Sequence, residues 1–481
     1  MAAGTLTARA LTQAYLDRIA AVDDAGPTLR AVIDINPTAL ADADARDQER
    51  KAGKVRGPLH GIPVLLKDNI DSVGMVNSAG SLALAENRPT QDAFLVARLR
   101  DAGAVILGRT NLSEWANFRS TRSTSGWSSR GGQTKNPYVL DRNPCGSSAG
   151  TGTAIAASLG AIGVGTETDG SIICPAAVAG LVGLKPTVGV ISRSGVIPIS
   201  ISQDTAGPMA RTVADAAILM NGLAAVDQQD PAGAAAAGKI PADYTTFLDA
   251  GALKGKRFGV LRQAMGFHPD VDKAMEAAIA AVKAAGGEVV DIKIANYNGW
   301  NDSEFEVLLY EFKDGLNAYL KSSGSPHTSL EALIAWNKAN AEKAMPFFGQ
   351  ELFERAQAKG AVSDAAYVKA RSAARRMAGQ EGLLAALRRD KLTAVIVPSM
   401  SPAWPTDHVL GDHFVGAGYG MAAVAGTPSI TIPIGETHGL PLGLTFMGAP
   451  YSEGELISYA YALEQLTMAR KAPQYKPTLS Q

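Results

Sequence analysis

The stretch "DAFLVARLRDAGAVILGRTN", Asp92–Asn111, reads as a helix followed at once by a buried strand. Its first half spaces apolar residues as one face of a helix does, and its second half is a short apolar run closed by polar residues. The same pairing recurs in "DVDKAMEAAIAAVKAAGG" (270–287) and "EVVDIKI" (288–294). Repeated helix–strand alternation predicts an α/β fold with a largely parallel, buried sheet. Outward from this core, "GIPVLLKDNI" (61–70) is a short buried strand that ends in charge at Lys67 and Asp68, and "LTAVIVPSM" (392–400) and "GLPLGLTFMGAP" (439–450) return to strand. Helices are expected over Leu6–Val22 with Thr7 as cap, over 36–53 with Asn36 as cap, Pro37 in the first turn and Gly53 as stop, and over 455–470. Residues 225–250 are Ala-, Gly-, Asp- and Pro-rich and read as a surface loop, and 297–390 as mostly helical. No repeat or linker divides the chain. The expectation is one large domain with a mixed, largely parallel central sheet covered by helices.

Composition excludes several classes of function. Lys+Arg 45 against Asp+Glu 46 leaves a net charge of −1, without the excess that a nucleic-acid or anionic-membrane partner would require. The start lacks both a basic segment followed by an apolar stretch and a spanning segment, so the expected compartment is the cytoplasm, or the periplasm or exterior if a leader has been removed. The two cysteines, Cys145 and Cys174, are too few for a disulfide framework or a zinc cluster.

Three polar residues stand in apolar or glycine-rich surroundings: Lys67, Ser147 and Ser171. Lys67 is either a lysine that keeps its head in water or a buried one, and in the second case desolvation lowers its pKa and makes it a general base. Ser147, in "NPCGSSAGTGTAIAASLGA" (143–161), either caps the helix that follows or relays a proton. Ser171, in "GTETDGSIICPAA" (165–177), either belongs to a capped turn or is a nucleophile on a tight turn. None of the six histidines lies within fifty residues of Ser171, and the frame is not G-x-S-x-G.

Taken together the three motifs are far more specific. Their order, with "GIPVLLKDN", "GGQTKNP", the run from Cys145 to Gly189 and "QDTAGPMART", resembles the amidase signature family from about Leu6 to the C-terminus. The resemblance implies that family's fold, with the core of the site at about 56–215 and a helical, substrate-shaping insertion at about 297–390. It also implies a Ser–Ser–Lys triad: Ser171 as nucleophile, Ser147 as bridging serine and Lys67 as base, with a cis peptide between Gly146 and Ser147. The backbone N–H groups of Thr168, Asp169, Gly170 and Ser171 are the expected oxyanion donors. The family's stretch is G-T-D-x-G-G-S, whereas here Glu167 and Asp169 replace an aspartate and a glycine. An acid beside an oxyanion hole must point away or be neutralised.

The "TETDGS" variant, with "TNLSEWANFR", "SGWSSRGGQTKNP" and "LPLGLTFMG", is similar to the bacterial peptide amidases within that family, which remove the C-terminal carboxamide of peptides. In "TNLSEWANFRS", which follows a strand, Asn117 either holds a substrate carboxamide by paired hydrogen bonds or sits in a loop turn, and Trp115 and Trp127 either supply apolar walls or belong to the core. The alternatives are another amide or ester class, or the amidotransferase component that supplies ammonia in tRNA-dependent amidation. The expected partner is a small-molecule or peptide amide; no metal or cofactor is expected, since neither CxxC nor HExxH occurs. Activity is therefore expected to survive exhaustive chelation. Loss on EDTA treatment that one metal restores would contradict this.

Overall fold

The computed structural model describes residues 1–479. In chain order its strands are β1 (Val32–Ile35), β2 (Pro63–Lys67), β3 (Val105–Thr110), β4 (Trp127–Ser128), β5 (Gly132–Gln133), β6 (Ile162–Glu167), β7 (Val182–Lys185), β8 (Thr205–Ala210), β9 (Arg257–Leu261), β10 (Glu288–Ile292), β11 (Ala394–Pro398), β12 (Ser429–Thr437) and β13 (Leu440–Met447). Apart from the β4–β5 hairpin they form one 11-stranded sheet in the order β1-β3-β2-β6-β8-β7-β12-β13-β11-β9-β10. Early and late strands thus share a sheet, as a single domain requires. The sheet is mixed. Parallel pairing, expected from the helix–strand alternation, holds in two blocks, β3-β2-β6 and β11-β9-β10. Between and beside these blocks the neighbours run antiparallel, through β6-β8-β7-β12-β13-β11 and at β1-β3.

Both faces of the sheet are covered, and β2 shows why its sequence is a continuous apolar run. Val64 and Leu66 enter one core layer with Ile106 and Val164, while Leu65 enters the other with Val105, Leu107 and Ile155. Alternate side chains of a strand point to opposite faces, so a strand between two cores needs apolar residues at every position.

The helices that matter for the site are α1 (Ala8–Arg18), α2 (Ala39–Lys51), α3 (Phe94–Asp101), α4 (Ala149–Ala156), α5 (Ile173–Val178), α6 (Val213–Leu223), α7 (Pro269–Ala284) and α8 (Asn301–Ser322). Thr7 caps α1 by accepting from the Ala10 N–H at 3.0 Å. The start of α2 differs from expectation. Asn36 lies ahead of the helix and closes a turn on Thr38 N–H (3.0 Å), so the first helical residue is Ala39. Gly53, at φ +74°, ends the segment as expected. The 225–250 segment is pinned rather than free: the Ser192 and Ser194 hydroxyls donate to Asp227, and Arg193 to Asp230.

From α8 to Arg389 the chain is mostly helical, and Phe312, Leu316 and Phe353 of this region pack on Phe118 and Trp115. The two cysteines form one disulfide, Cys145–Cys174, with the Cα atoms 6.0 Å apart. No helix among the described residues is long and apolar enough to cross a membrane.

Candidate active site

The site assembles where β2 and β6 end side by side. Their parallel pairing sets Lys67, the last residue of β2, beside the end of β6. There the Lys67 ammonium is wholly buried and its Nζ donates to Ser147 Oγ at 2.7 Å, to Thr166 Oγ1 at 2.8 Å and to the Thr166 carbonyl at 3.1 Å. Desolvation lowers its pKa to about 7, against a partial upward pull from Asp204 and Glu167. Of the two readings of Lys67 the buried one holds. Asp68, next in sequence, turns the other way and meets Arg109 and Arg130, each at 3.5 Å, which fixes the exit of the strand.

Ser147 follows a cis peptide bond from Gly146. Its carbonyl accepts from Ser113 N–H at 3.1 Å, and a side chain at Gly146 would fall on the Ser113 hydroxyl. Neither Ser147 nor Ser148 caps α4 through its side chain. Ser148 Oγ instead bridges to the Thr166 carbonyl (3.1 Å) and accepts from Thr166 N–H (3.2 Å), which binds the start of α4 to β6. Glycines let α4 approach closely: Gly150 lies against the backbone of Asn111 and Ala31, Gly152 against Pro175.

Ser171 sits on the turn between β6 and α5. Its carbonyl accepts from Ser148 N–H at 3.2 Å, so the two serine segments lie against each other. The Cys145–Cys174 disulfide joins the same two segments covalently. The Ser171 side chain lines a cavity of about 250 Å³, and its hydroxyl hydrogen-bonds to no described residue, Ser147 included. The N–H groups of Thr168, Asp169, Gly170 and Ser171 likewise donate to no described residue, so they are free to meet a ligand. Gly170 has φ +82° and packs against the Tyr419 ring, which leaves no room for a side chain.

The two acids that depart from the family stretch have separate fates. Glu167 Oε2 accepts from the N–H groups of Ile172 (2.7 Å) and Ile173 (2.9 Å), at the start of α5. Asp169 lines the cavity and its carboxyl pKa is raised well above the ordinary value by burial, by Glu304 and by Glu167, with Lys185 opposing.

Asn117 lines the same cavity and donates to Ser123 Oγ (3.1 Å) and Ser125 Oγ (3.2 Å). Of the two readings of Trp115 and Trp127 the core one holds. Trp115 is buried edge-on to Phe353, with ring centroids 5.4 Å apart, and Trp127 packs on Phe347, Phe348 and Arg119. Trp115 shares its apolar cluster with Phe118, which with Ala116 lines the cavity. Trp115 and Ala116 have left-handed backbones, φ 54° and 52°.

Sequence reasoning missed Asp412, Tyr419, Leu308 and Phe414, which also line the cavity, and Glu304, which backs Asp169. Asp412 accepts from Ser125 Oγ (2.6 Å), Asn143 Nδ2 (3.0 Å) and Trp404 Nε1 (3.2 Å). Glu304 was open to detection, since it is a carboxylate on the buried face of α8.

The model of the Amidase family matches residues 10–457. A solved peptide amidase from Stenotrophomonas maltophilia is 53% identical, with a TM-score of 0.95 and coverage of 98% of this chain and 96% of that one. An Arabidopsis thaliana protein described as a probable amidase is 40% identical over 98% of this chain and 89% of its own length. A component of the glutamyl-tRNA(Gln) amidotransferase of Chloroflexus aurantiacus is 34% identical over 97% of this chain and 95% of its own.

Proposed function

Since the chain belongs to the amidase signature family, enzymes that act on amide C–N bonds, we propose that it hydrolyses the C-terminal carboxamide of peptides through Ser171, Ser147 and Lys67. The observation that carries the triad is the buried Lys67 amine, 2.7 Å from Ser147 Oγ with its pKa brought down to about 7. A neutral amine has a lone pair, so the same contact can run in reverse, with Ser147 donating to Lys67 and Ser171 donating to Ser147. Ser171 Oγ then attacks the carbonyl carbon. The C–N bond breaks as the proton returns through Ser147 to the departing ammonia, and water releases the acyl group by the same relay. The free N–H groups of Thr168 to Ser171 stabilise the oxyanion, each donor lost costing roughly 3–4 kcal/mol in the transition state.

Two features favour a carboxamide over a free acid. The cavity is lined by two acids, Asp169 and Asp412, and by no lysine or arginine, so no lysine or arginine in its lining attracts a carboxylate and two acids oppose one. Ile199, Leu308, Met400, Trp404 and Phe414 add an apolar part to the lining, which suits the acyl side of a peptide. Leu308 comes from α8, and in this way the helical insertion shapes the substrate site. The 53% identity to a peptide amidase supports the same substrate class.

The test is a panel of amides with products identified by mass. Di- and tripeptide amides should give free acid and ammonia, while free C-terminal acids and internal peptide bonds stay intact. An anilide or urethane that turns over far faster than every peptide amide would remove the peptide-amide assignment and leave the Ser–Ser–Lys reading. Glutamine-specific turnover that needs partner chains would favour the amidotransferase alternative.

A further inference from the structure

We propose that Asp204 is the positioning residue of the oxyanion turn: it holds the Thr168 side chain so that the free N–H groups of the turn stay aimed at the reacting carbonyl. The proposal rests on the serine-hydrolase reading and adds to it a role for the stretch "QDTAGPMART" (203–212).

Sheet register brings the two residues together. β6 and β8 run antiparallel with Glu167 opposite Thr205, so Thr168 and Asp204 come next on either side as the strands part. There Thr168 Oγ1 donates to Asp204 Oδ1 at 2.5 Å. Asp204 Oδ2 accepts from the N–H groups of Ile199 and Ser200, each at 2.8 Å. Both oxygens are thus met by donors, which is what an enclosed carboxylate, an acceptor only, requires. Asp204 is 8% exposed, so little water competes for these bonds. Thr168 and Ile199 both line the cavity, and one carboxylate therefore ties the oxyanion turn to the apolar lining.

Gln203 adds a second hold, and peptide geometry gives it a direction. Its Nε2 donates to the Thr168 carbonyl at 3.3 Å and to Glu304 Oε1 of α8 at 2.9 Å. In a trans peptide the C=O and the following N–H point opposite ways. The Thr168–Asp169 bond is trans, since the one cis bond among the described residues is Gly146–Ser147. A Thr168 carbonyl fixed on Gln203 therefore points the Asp169 N–H away from Gln203. With its hydroxyl on Asp204 and its carbonyl on Gln203, Thr168 keeps its N–H as the one polar group left for a ligand. Donors fixed in advance need no reorganisation when negative charge develops, and that is the source of their effect. The 199–204 segment is itself braced from α8, where Glu311 Oε2 accepts from Ser202 N–H (2.9 Å) and Ser202 Oγ (3.0 Å).

The experiment measures kcat and KM on whichever amide turns over, for the wild type, Asp204→Ala, Asp204→Asn, Thr168→Val and the double variant with Asp204→Ala and Thr168→Val, with Ser171→Ala alongside. Rates are read above the Lys67 inflection, where that amine is already neutral, so the loss of the Asp204 charge, which pulls the Lys67 pKa up, does not enter. Asp204→Ala should lose roughly a hundredfold in kcat with KM changed less than about threefold, because oxyanion donors act in the transition state. In Asp204→Asn the side-chain oxygen can take the Ile199 and Ser200 N–H groups while the amide donates to Thr168 Oγ1, which accepts as well as donates. That variant should turn over at least about tenfold faster than Asp204→Ala. Thr168→Val keeps the shape, removes the hydroxyl and should lower kcat on the same scale as Asp204→Ala. The double variant should be no slower than the slower single variant, since Asp204 acts through Thr168. A loss confined to KM, an Asn variant no better than the Ala variant, wild-type kcat in Thr168→Val, or additive losses in the double variant would each overturn the proposal. If Asp204→Ala does not fold, the Asn and Val variants still decide it. Full activity in Ser171→Ala would instead overturn the hydrolase reading on which the proposal stands, so the two failures are distinguishable.

Discussion

Ser171→Ala is expected to reduce amide turnover roughly 10⁴- to 10⁶-fold, the scale seen when a serine nucleophile is removed, with no loss of thermal stability. The two outcomes separate because the Ser171 hydroxyl makes no hydrogen bond to the described residues and faces the cavity, so its removal leaves neither an unpaired partner nor a void in the core. Turnover and melting temperature measured on the same preparation check this. A serine-directed phosphonate should add its mass to the peptide that contains Ser171 in the wild type and to none in the variant. Substantial activity in the variant, or labelling at another serine, would falsify the assignment.

Lys67→Ala is expected to cost about 10²- to 10⁴-fold on amides, the usual range for a general acid–base group, and less on an activated ester, whose leaving group needs little protonation. The sign of the pH dependence follows from the pKa of about 7. Below it Lys67 is an ammonium and cannot accept a proton, so kcat/KM should fall about tenfold per pH unit. Above it the amine is free and the rate levels off. The variant should lack this inflection. A wild-type profile that is flat from pH 5 to 8, with equal losses on amide and ester, would remove Lys67 from the role of base.

Legibility differed between the fold and the site for physical reasons. Strands such as Pro63–Lys67 and Ala394–Pro398 are buried on both faces and so appear as uninterrupted apolar runs. That run marks a strand but not its direction, which is why the antiparallel centre of the sheet was not readable from helix–strand alternation. Lys67, Ser147 and Ser171 stood out because each is a polar residue in surroundings that otherwise exclude polarity. Asp412 and Tyr419 did not, because they reach the cavity from a distant segment of the chain, through tertiary contacts that no local period encodes. Trp115 left two readings open for a related reason: Ala116, Asn117 and Phe118 beside it line the cavity, while its own indole is buried in the core.

The cross-link between Cys145 and Cys174 carries its own consequence for how the protein must be handled. It closes a loop spanning a sequence separation of 29 residues that contains both serines. In the chain-entropy account a loop of that size is worth about 3–4 kcal/mol against the unfolded state. Cys145 is one of the residues bordering the cavity, whereas Cys174 is fully enclosed, so the cavity offers a small thiol an approach to the bond. An occupied site would shield that approach. Heat tolerance of the purified enzyme therefore depends on its redox history, and storage with a bound inhibitor protects a covalent bond as well as a conformation.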